Sequence, residues 1–252
     1  MRLRAVTFDC WDTLLFEREP GETWARRVEL LAEAAGRQGA PGDLEAARKA
    51  LDRAWERHWR LWHEGVSSGA AEMAAWALDA LAQSSGAPPP GSAAARALGG
   101  AFGEMQLEAD VQALEGAVAT LERLVRAGVR RALVCDTGFS PGATVRRLLA
   151  REGLLDLLEV TVFSDEAGVP KPDARVFRRA LEPFGLAGQP GETVHVGDLR
   201  RTDVAGGRGF GMGTVRIRAR HDDTSDLPEA DRVADSHAHL LDLLPAFGRD
   251  AG

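Results

Sequence analysis

The spacing of apolar residues changes character along this chain. Residues 2–8, "RLRAVTF", make a short β-rich run that stops at Asp9, and four more such runs lie at 129–135, 159–163, 193–196 and 213–218. Between the last four, apolar residues recur every three to four positions at 142–152, 173–185 and 201–209, the period of a helix. Strands alternating with short helices predict an α/β fold with a three-layer α/β/α, Rossmann-like core around a parallel sheet. Such a sheet gathers its functional groups at the C-terminal strand ends.

From 18 to 110 no strand pattern occurs. Helical spacing at 21–36, 43–64, 69–85 and 92–108 predicts an all-helical cap domain, leaving 1–17 and 111–252 as the core. Chain breakers punctuate it: "EPGE" at the entry, "GAPPPGS" at 86–92 inside, and "EG" near 115 at the exit. The chain closes with "ADRVADSHAHLLDLLPAF", a short apolar strand or turn and an amphipathic helix turning Leu240, Leu241, Leu243 and Leu244 to the body.

Composition narrows the function. With 252 residues the chain can bury one sizeable core and carry an inserted domain. A net charge of -7 gives no field to hold a polyanion, so nucleic acid is not an expected partner, whereas small charged metabolites are. No apolar run approaches the roughly 20 residues of a membrane span, and "MRLRAVTF" turns acidic too soon for a signal peptide, which predicts a soluble cytoplasmic protein with no membrane partner. The two cysteines, Cys10 and Cys135, are too few for a disulfide framework and match no zinc spacing. Both fall at tips of neighbouring strands, so they are expected as small buried thiols, with a redox switch as the alternative.

The chain has no Tyr, no Asn and only two lysines, Lys49 and Lys171, among its 31 basic residues. Lys171 persists in "GVPKPD" against that bias. It is one of four polar clusters at or after the predicted strand ends, with Asp9 to Thr13, Cys135 to Gly138, and Asp198 with Asp203 in "HVGDLRRTD". In a parallel sheet these converge on one edge, as three carboxylates against one ammonium. Carboxylates held together repel unless a cation joins them, and Mg²⁺, a hard ion taking oxygen ligands, is the expected cofactor.

These four clusters, in this order and with a helical insert after the first, resemble the haloacid dehalogenase superfamily of hydrolases with a helical cap. The resemblance implies that Asp9 is the nucleophile forming an aspartyl-phosphate, that Lys171 holds the nucleophile and the transferred group, and that Thr13 closes the first motif by a hydrogen bond. It implies a metal held by Asp9, the backbone carbonyl of Trp11, Asp198 and Asp203, the last as a ligand or as the anchor of a bound water, and a phosphoryl group held by Lys171 and the Cys135, Asp136, Thr137, Gly138 loop. The substrate class implied is a small-molecule phosphomonoester, handled by a monomer or homodimer.

Two positions depart from the family pattern. Phosphatases of the family carry a second Asp where this chain has Trp11, a general acid-base typically worth about 10² to 10⁴ in rate. Asp12 follows where Gly is common, and it is expected either to supply some of that function or to face solvent. The family's 2-haloacid dehalogenases carry an aromatic residue at the Trp11 position, so a halogenated acid is the alternative substrate, although their metal-independent chemistry sits poorly with "HVGDLRRTD". In "LVCDTG", Cys135 is a weak donor and Asp136 adds an anion where a Ser or Thr and an Asn are usual. A binding module that keeps the fold without turnover is the third reading.

In the cap, Trp55, Trp59 and Trp62 share one helical face beside His58 and His63, and are expected to pack against the core. Trp24, Trp76, Arg26, Arg27, Arg53 and Arg57 are candidates for substrate contact, most of the arginines being expected as solvated charges. His221, His237 and His239 are expected at the surface.

Overall fold

The computed structural model describes residues 3–39, 42–86 and 91–248. Strand β1 (Ala5–Phe8) opens the chain and β2 (Leu15–Glu17) follows; four helices come next, α1 (Pro20–Arg37), α2 (Leu44–His63), α3 (Ala70–Ser85) and α4 (Ser92–Gln106). After them come β3 (Val111–Ala113), α5 (Ala117–Arg126), β4 (Arg130–Cys135), α6 (Gly142–Arg151), β5 (Val160–Phe163), α7 (Ser164–Ala167) and α8 (Ala174–Leu181). The chain ends with β6 (Thr193–Gly197), a π turn at Arg200–Val204, α9 (Ala205–Phe210), β7 (Gly213–Ile217), β8 (Arg232–Ala234) and α10 (His237–Leu243). Among the described residues no helix is long and apolar enough to cross a membrane.

The chain forms two compact units. One takes the chain through Phe16, then Gln112–Asp136 and everything from Leu148; the other takes Glu17–Val111 and Thr137–Arg147. The stretch 137–147, placed by its position in the sequence with the core, groups with the helices.

In the first unit six strands form one parallel sheet in the order β5-β4-β1-β6-β7-β8. Register is fixed on both sides of β1, with Phe8 opposite Leu133 of β4 and Val196 of β6. All four residues of β1 are buried, as a strand covered on both faces requires. Ala132 and Val134 of β4 join Val176, Phe177 and Ala180 of α8 in one apolar cluster; their alternates, Leu133 and Cys135, point to the opposite face. This is the expected three-layer α/β fold.

The sequence pattern missed several short pieces. α5 was not expected, and β2 and β3 pair as a two-stranded ribbon; of the strand or turn expected in the closing apolar stretch, the strand forms, sixth in the sheet and parallel to β7. Helix 173–185 is shorter, because Pro183 ends the α-helical pattern in a 3₁₀ turn at Glu182–Phe184. The expected helix 201–209 starts instead as the π turn.

The second unit packs α1 to α4 around Val28, Leu31, Leu51, Met73, Leu78 and Phe102, with Phe139 from the 137–147 stretch in the same core. Sequence signals set the helix ends: Pro20 opens α1, the Asp43 carboxylate caps α2 through the Glu45 N–H, and Gly86 leaves α3 in the left-handed conformation at φ 70°. The breaker run at 86–92 is otherwise largely outside the described residues. Trp55 stacks on Phe139 and on His58, with centroids 5.6 and 5.2 Å away. Trp59 rests on Trp62 and His63 and stays 49% exposed, so the tryptophan face is not buried as expected.

Candidate active site

Three strand ends in the first unit each deliver an acid. Asp9 follows β1 and its N–H donates to the Val196 carbonyl of β6 (2.8 Å); Asp136 follows β4; Asp198 follows β6. One carboxylate oxygen from each of Asp9, Asp198 and Asp203 lies within 4.8 Å of the others, all three residues being buried. Lys171, 2% exposed, donates from Nζ to Asp9 Oδ1 and to Asp203 Oδ1, the latter at 2.6 Å.

Asp203 is brought in by the π turn and held on every side. Its Oδ2 accepts from the Leu199 N–H (3.0 Å) and its Oδ1 lies 3.1 Å from His195 Nε2, while His195 Nδ1 pairs with the Thr7 hydroxyl at 2.7 Å. A Cβ on Gly197 would fall 2.2 Å from Asp203 Cγ, so glycine at the end of β6 is what leaves room for this carboxylate. Neither His195 nor Gly197 was singled out from the sequence. The signal was there: in a strand residues 195 and 197 share a face, and Asp203 returns to that face.

The electrostatics follow from burying three acids beside one amine. Burial pushes Asp9 up to about 7, although Lys171 pulls it down. Burial, together with the charges of Asp9 and Asp203, pushes Asp198 up to about 9. Asp203 goes the other way: burial raises it, but Lys171 and His195 more than offset this and hold it well below the usual carboxylate range. For Lys171, burial is outweighed by Asp203, Asp9 and Asp136, which keep it firmly protonated. The donor set is therefore short of positive charge, and three convergent carboxylate oxygens suit a hard divalent cation.

The other expected site residues fall variously. Asp136 does not stand free as an anion at the strand tip: its Oδ1 accepts the Lys171 backbone N–H (2.9 Å), positioning the loop that carries the ammonium. The Thr13 hydroxyl, expected to close the first motif, is buried with no hydrogen-bond partner, and the carbonyl of Thr13 makes the contact instead. Asp12 sits at φ 54°, a left-handed position that Asp tolerates and Gly favours. The residue is half-buried, and burial raises its carboxyl, opposed by Arg220 and His221. Trp11 is partly buried and bridges to Leu15. Thr137 and Gly138 belong to the second unit, where Gly138 lies against His58 and Trp55.

Cys10 and Cys135 are buried. A hydrogen bond with Cys10, then burial, pushes the Cys135 thiol well up, which makes it a poor nucleophile. Of the histidines expected at the surface, His221 is exposed there, its Nδ1 3.5 Å from Asp198 Oδ2, whereas His237 is fully buried. His239 is half-exposed beside Asp235.

Comparison with known proteins places these features in a family. The chain matches haloacid dehalogenase-like hydrolase over residues 3–211. It is 28% identical to human haloacid dehalogenase-like hydrolase domain-containing protein 3 over 97% of this chain and 94% of that protein. It is 32% identical to the phosphoserine phosphatase of Thermus thermophilus over 78% and 76% of the two chains. In fold it resembles the 2-haloacid dehalogenase of Pseudomonas syringae pv. Tomato, with a TM-score of 0.67, 22% identity, and 98% and 100% of the chains covered.

Proposed function

The chain belongs to the haloacid dehalogenase-like hydrolases, and from that premise we propose that it is a Mg²⁺-dependent phosphatase acting on a small phosphomonoester through an aspartyl-phosphate on Asp9. The observation that carries this reading is the buried Asp9, Asp198, Asp203 cluster around Lys171. Phosphatases among the relatives, such as the Thermus phosphoserine phosphatase, support the phosphoryl substrate class.

The three carboxylates, with the Trp11 carbonyl, would hold the metal. Bound there, Mg²⁺ supplies neutralisation of the phosphoryl oxygens. Asp9 is the nucleophile: its Oδ forms a bond to phosphorus while the ester oxygen departs with the bonding pair. Lys171 Nζ, already on Asp9 and Asp203, aligns the attacking carboxylate and balances charge that grows in the transition state. Asp203, locked by His195 and the Leu199 N–H, keeps Lys171 in place. Water then attacks phosphorus, releasing phosphate and restoring the Asp9 carboxylate. No carboxyl group at position 11 donates a proton to the departing oxygen, so that oxygen leaves as the anion or takes its proton from water.

The competing reading, attack of Asp9 on a carbon bearing halogen, draws support from Trp11, since a departing halide needs no proton. The acidic cluster weighs against it. Quenching a steady-state reaction in acid and mapping the Asp9 peptide by mass spectrometry separates the two. A phosphoryl adduct on Asp9, absent from Asp9→Asn, is expected; an alkyl ester on Asp9 after incubation with a 2-haloacid, with no phosphoryl adduct from any phosphomonoester, would overturn the phosphatase.

A further inference from the structure

The last helix reaches back to the loop that carries Asp9. α10 begins at His237, and Ser236 Oγ caps it by accepting the His239 N–H at 3.1 Å. The His237 ring is fully buried and its Nε2 lies 2.8 Å from the Thr13 carbonyl oxygen. A carbonyl only accepts, so Nε2 must carry the proton. Nδ1 is buried with no partner, and burial holds the ring below its ordinary value, neutral.

His237 is itself held firmly. Its carbonyl accepts from the Thr120 hydroxyl at 3.4 Å, and a Cβ on Gly116, which sits at φ 82°, would come within 3.0 Å of His237 Cβ. Thr13 belongs to a tight turn in which the Leu14 and Leu15 N–H groups both donate to the Cys10 carbonyl, at 2.8 and 2.9 Å. That turn starts at the residue after Asp9. The Thr13 hydroxyl contributes nothing to holding it; the buried imidazole ties the turn to the body beside the Cys10–Cys135 contact and the Leu114 N–H on the Leu14 carbonyl (2.8 Å). His237 lies beyond the segment that matches the family, which ends at residue 211.

We propose that His237 is a positioning residue: its Nε2–H, bonded to the Thr13 carbonyl, fixes the turn that aims Asp9, a role in catalysis that rests on Asp9 being the nucleophile.

Amide hydrogen exchange at Leu14 and Leu15 in the full-length protein, compared between wild type, His237→Leu and His237→Gln, tests it without relying on turnover. Removing one buried donor is expected to speed exchange at these two amides about 10-fold in His237→Leu, with Val196 of β6 unchanged, and the Gln amide is expected to restore most of the protection. Turnover of a phosphomonoester should fall by roughly 10- to 100-fold in His237→Leu through kcat, with KM little changed. Should the variants fail to fold, ¹⁵N spectra of wild-type histidines still decide: a neutral His237 in the Nε2–H tautomer is expected, and the Nδ1–H tautomer would overturn the proposal. Equal exchange at Leu14 and Leu15 in wild type and His237→Leu would also overturn it. If exchange responds as expected while the wild type hydrolyses no phosphomonoester, the tie stands and the nucleophile reading fails.

Discussion

Trp11 is the residue on which the chemistry turns. An indole cannot protonate a leaving oxygen, and Asp12 beside it sits half-buried at a left-handed backbone position. The rate should therefore depend steeply on how well the leaving group departs unaided. Trp11→Asp is expected to raise kcat on alkyl phosphates by about 10² and to leave aryl phosphates with nitro-substituted leaving groups nearly unchanged; equal gains on both would show that proton donation was not what Trp11 removed. At this scale the sequence was informative where a residue type broke the chain's habits, as Lys171 did among arginines. It was silent on what Asp136 and Thr13 do: the Asp136 carboxylate accepts the Lys171 N–H, and the Thr13 hydroxyl, expected to close the first motif, meets no partner. What a short polar side chain bonds to is decided by atoms brought from far along the chain, as the Lys171 N–H is to Asp136; at Thr13 the distant partner, His237, meets the carbonyl and leaves the hydroxyl unused.

Among the elements, strands were legible because β1, β4, β6 and β7 are buried on both faces and write nearly continuous apolar runs. The ribbon of β2 and β3 was not, since three-residue strands carry too little period to read. The π turn at Arg200–Val204 hid in a helical pattern, yet it is the element that swings Asp203 back over Gly197. "HAH" illustrates the opposite error. Read as a polar pair on an amphipathic helix it suggested a surface, but His237 occupies the buried stripe with Leu240 and Leu244 while His239 remains half-exposed. A histidine whose one nitrogen meets a carbonyl can lie in a core, and only the contact, not the spacing, reveals it.

For the whole molecule, the charge imbalance at the strand ends makes stability depend on pH and metal. Asp9 and Asp198 titrate higher in the folded protein, near 7 and 9, than the ordinary 3.8 of an unfolded chain. The folded state therefore holds protons that the unfolded chain has released, and stability falls as pH rises through that window. His58, His195 and His237, lowered by burial, act oppositely but only up to their ordinary 6.5. Asp203, lowered, adds stability above 3.8 and keeps it, and Lys171, raised above 10.5, loses none below that value. Between about pH 6.5 and 9 the melting temperature of the chelator-treated protein should thus decline, and Mg²⁺ should remove the decline by displacing those protons. A flat profile without metal, or the same slope with it, would show that the carboxylates are compensated by Lys171 alone. The measurement that bears most directly on the whole account is phosphate release from a panel of small phosphomonoesters, with Mg²⁺ or with chelator, by the wild type and by Asp9→Asn. Turnover that needs both Mg²⁺ and the Asp9 carboxylate is the predicted result; release that persists in chelator or in Asp9→Asn, or halide release from 2-haloacids in place of phosphate, would contradict it.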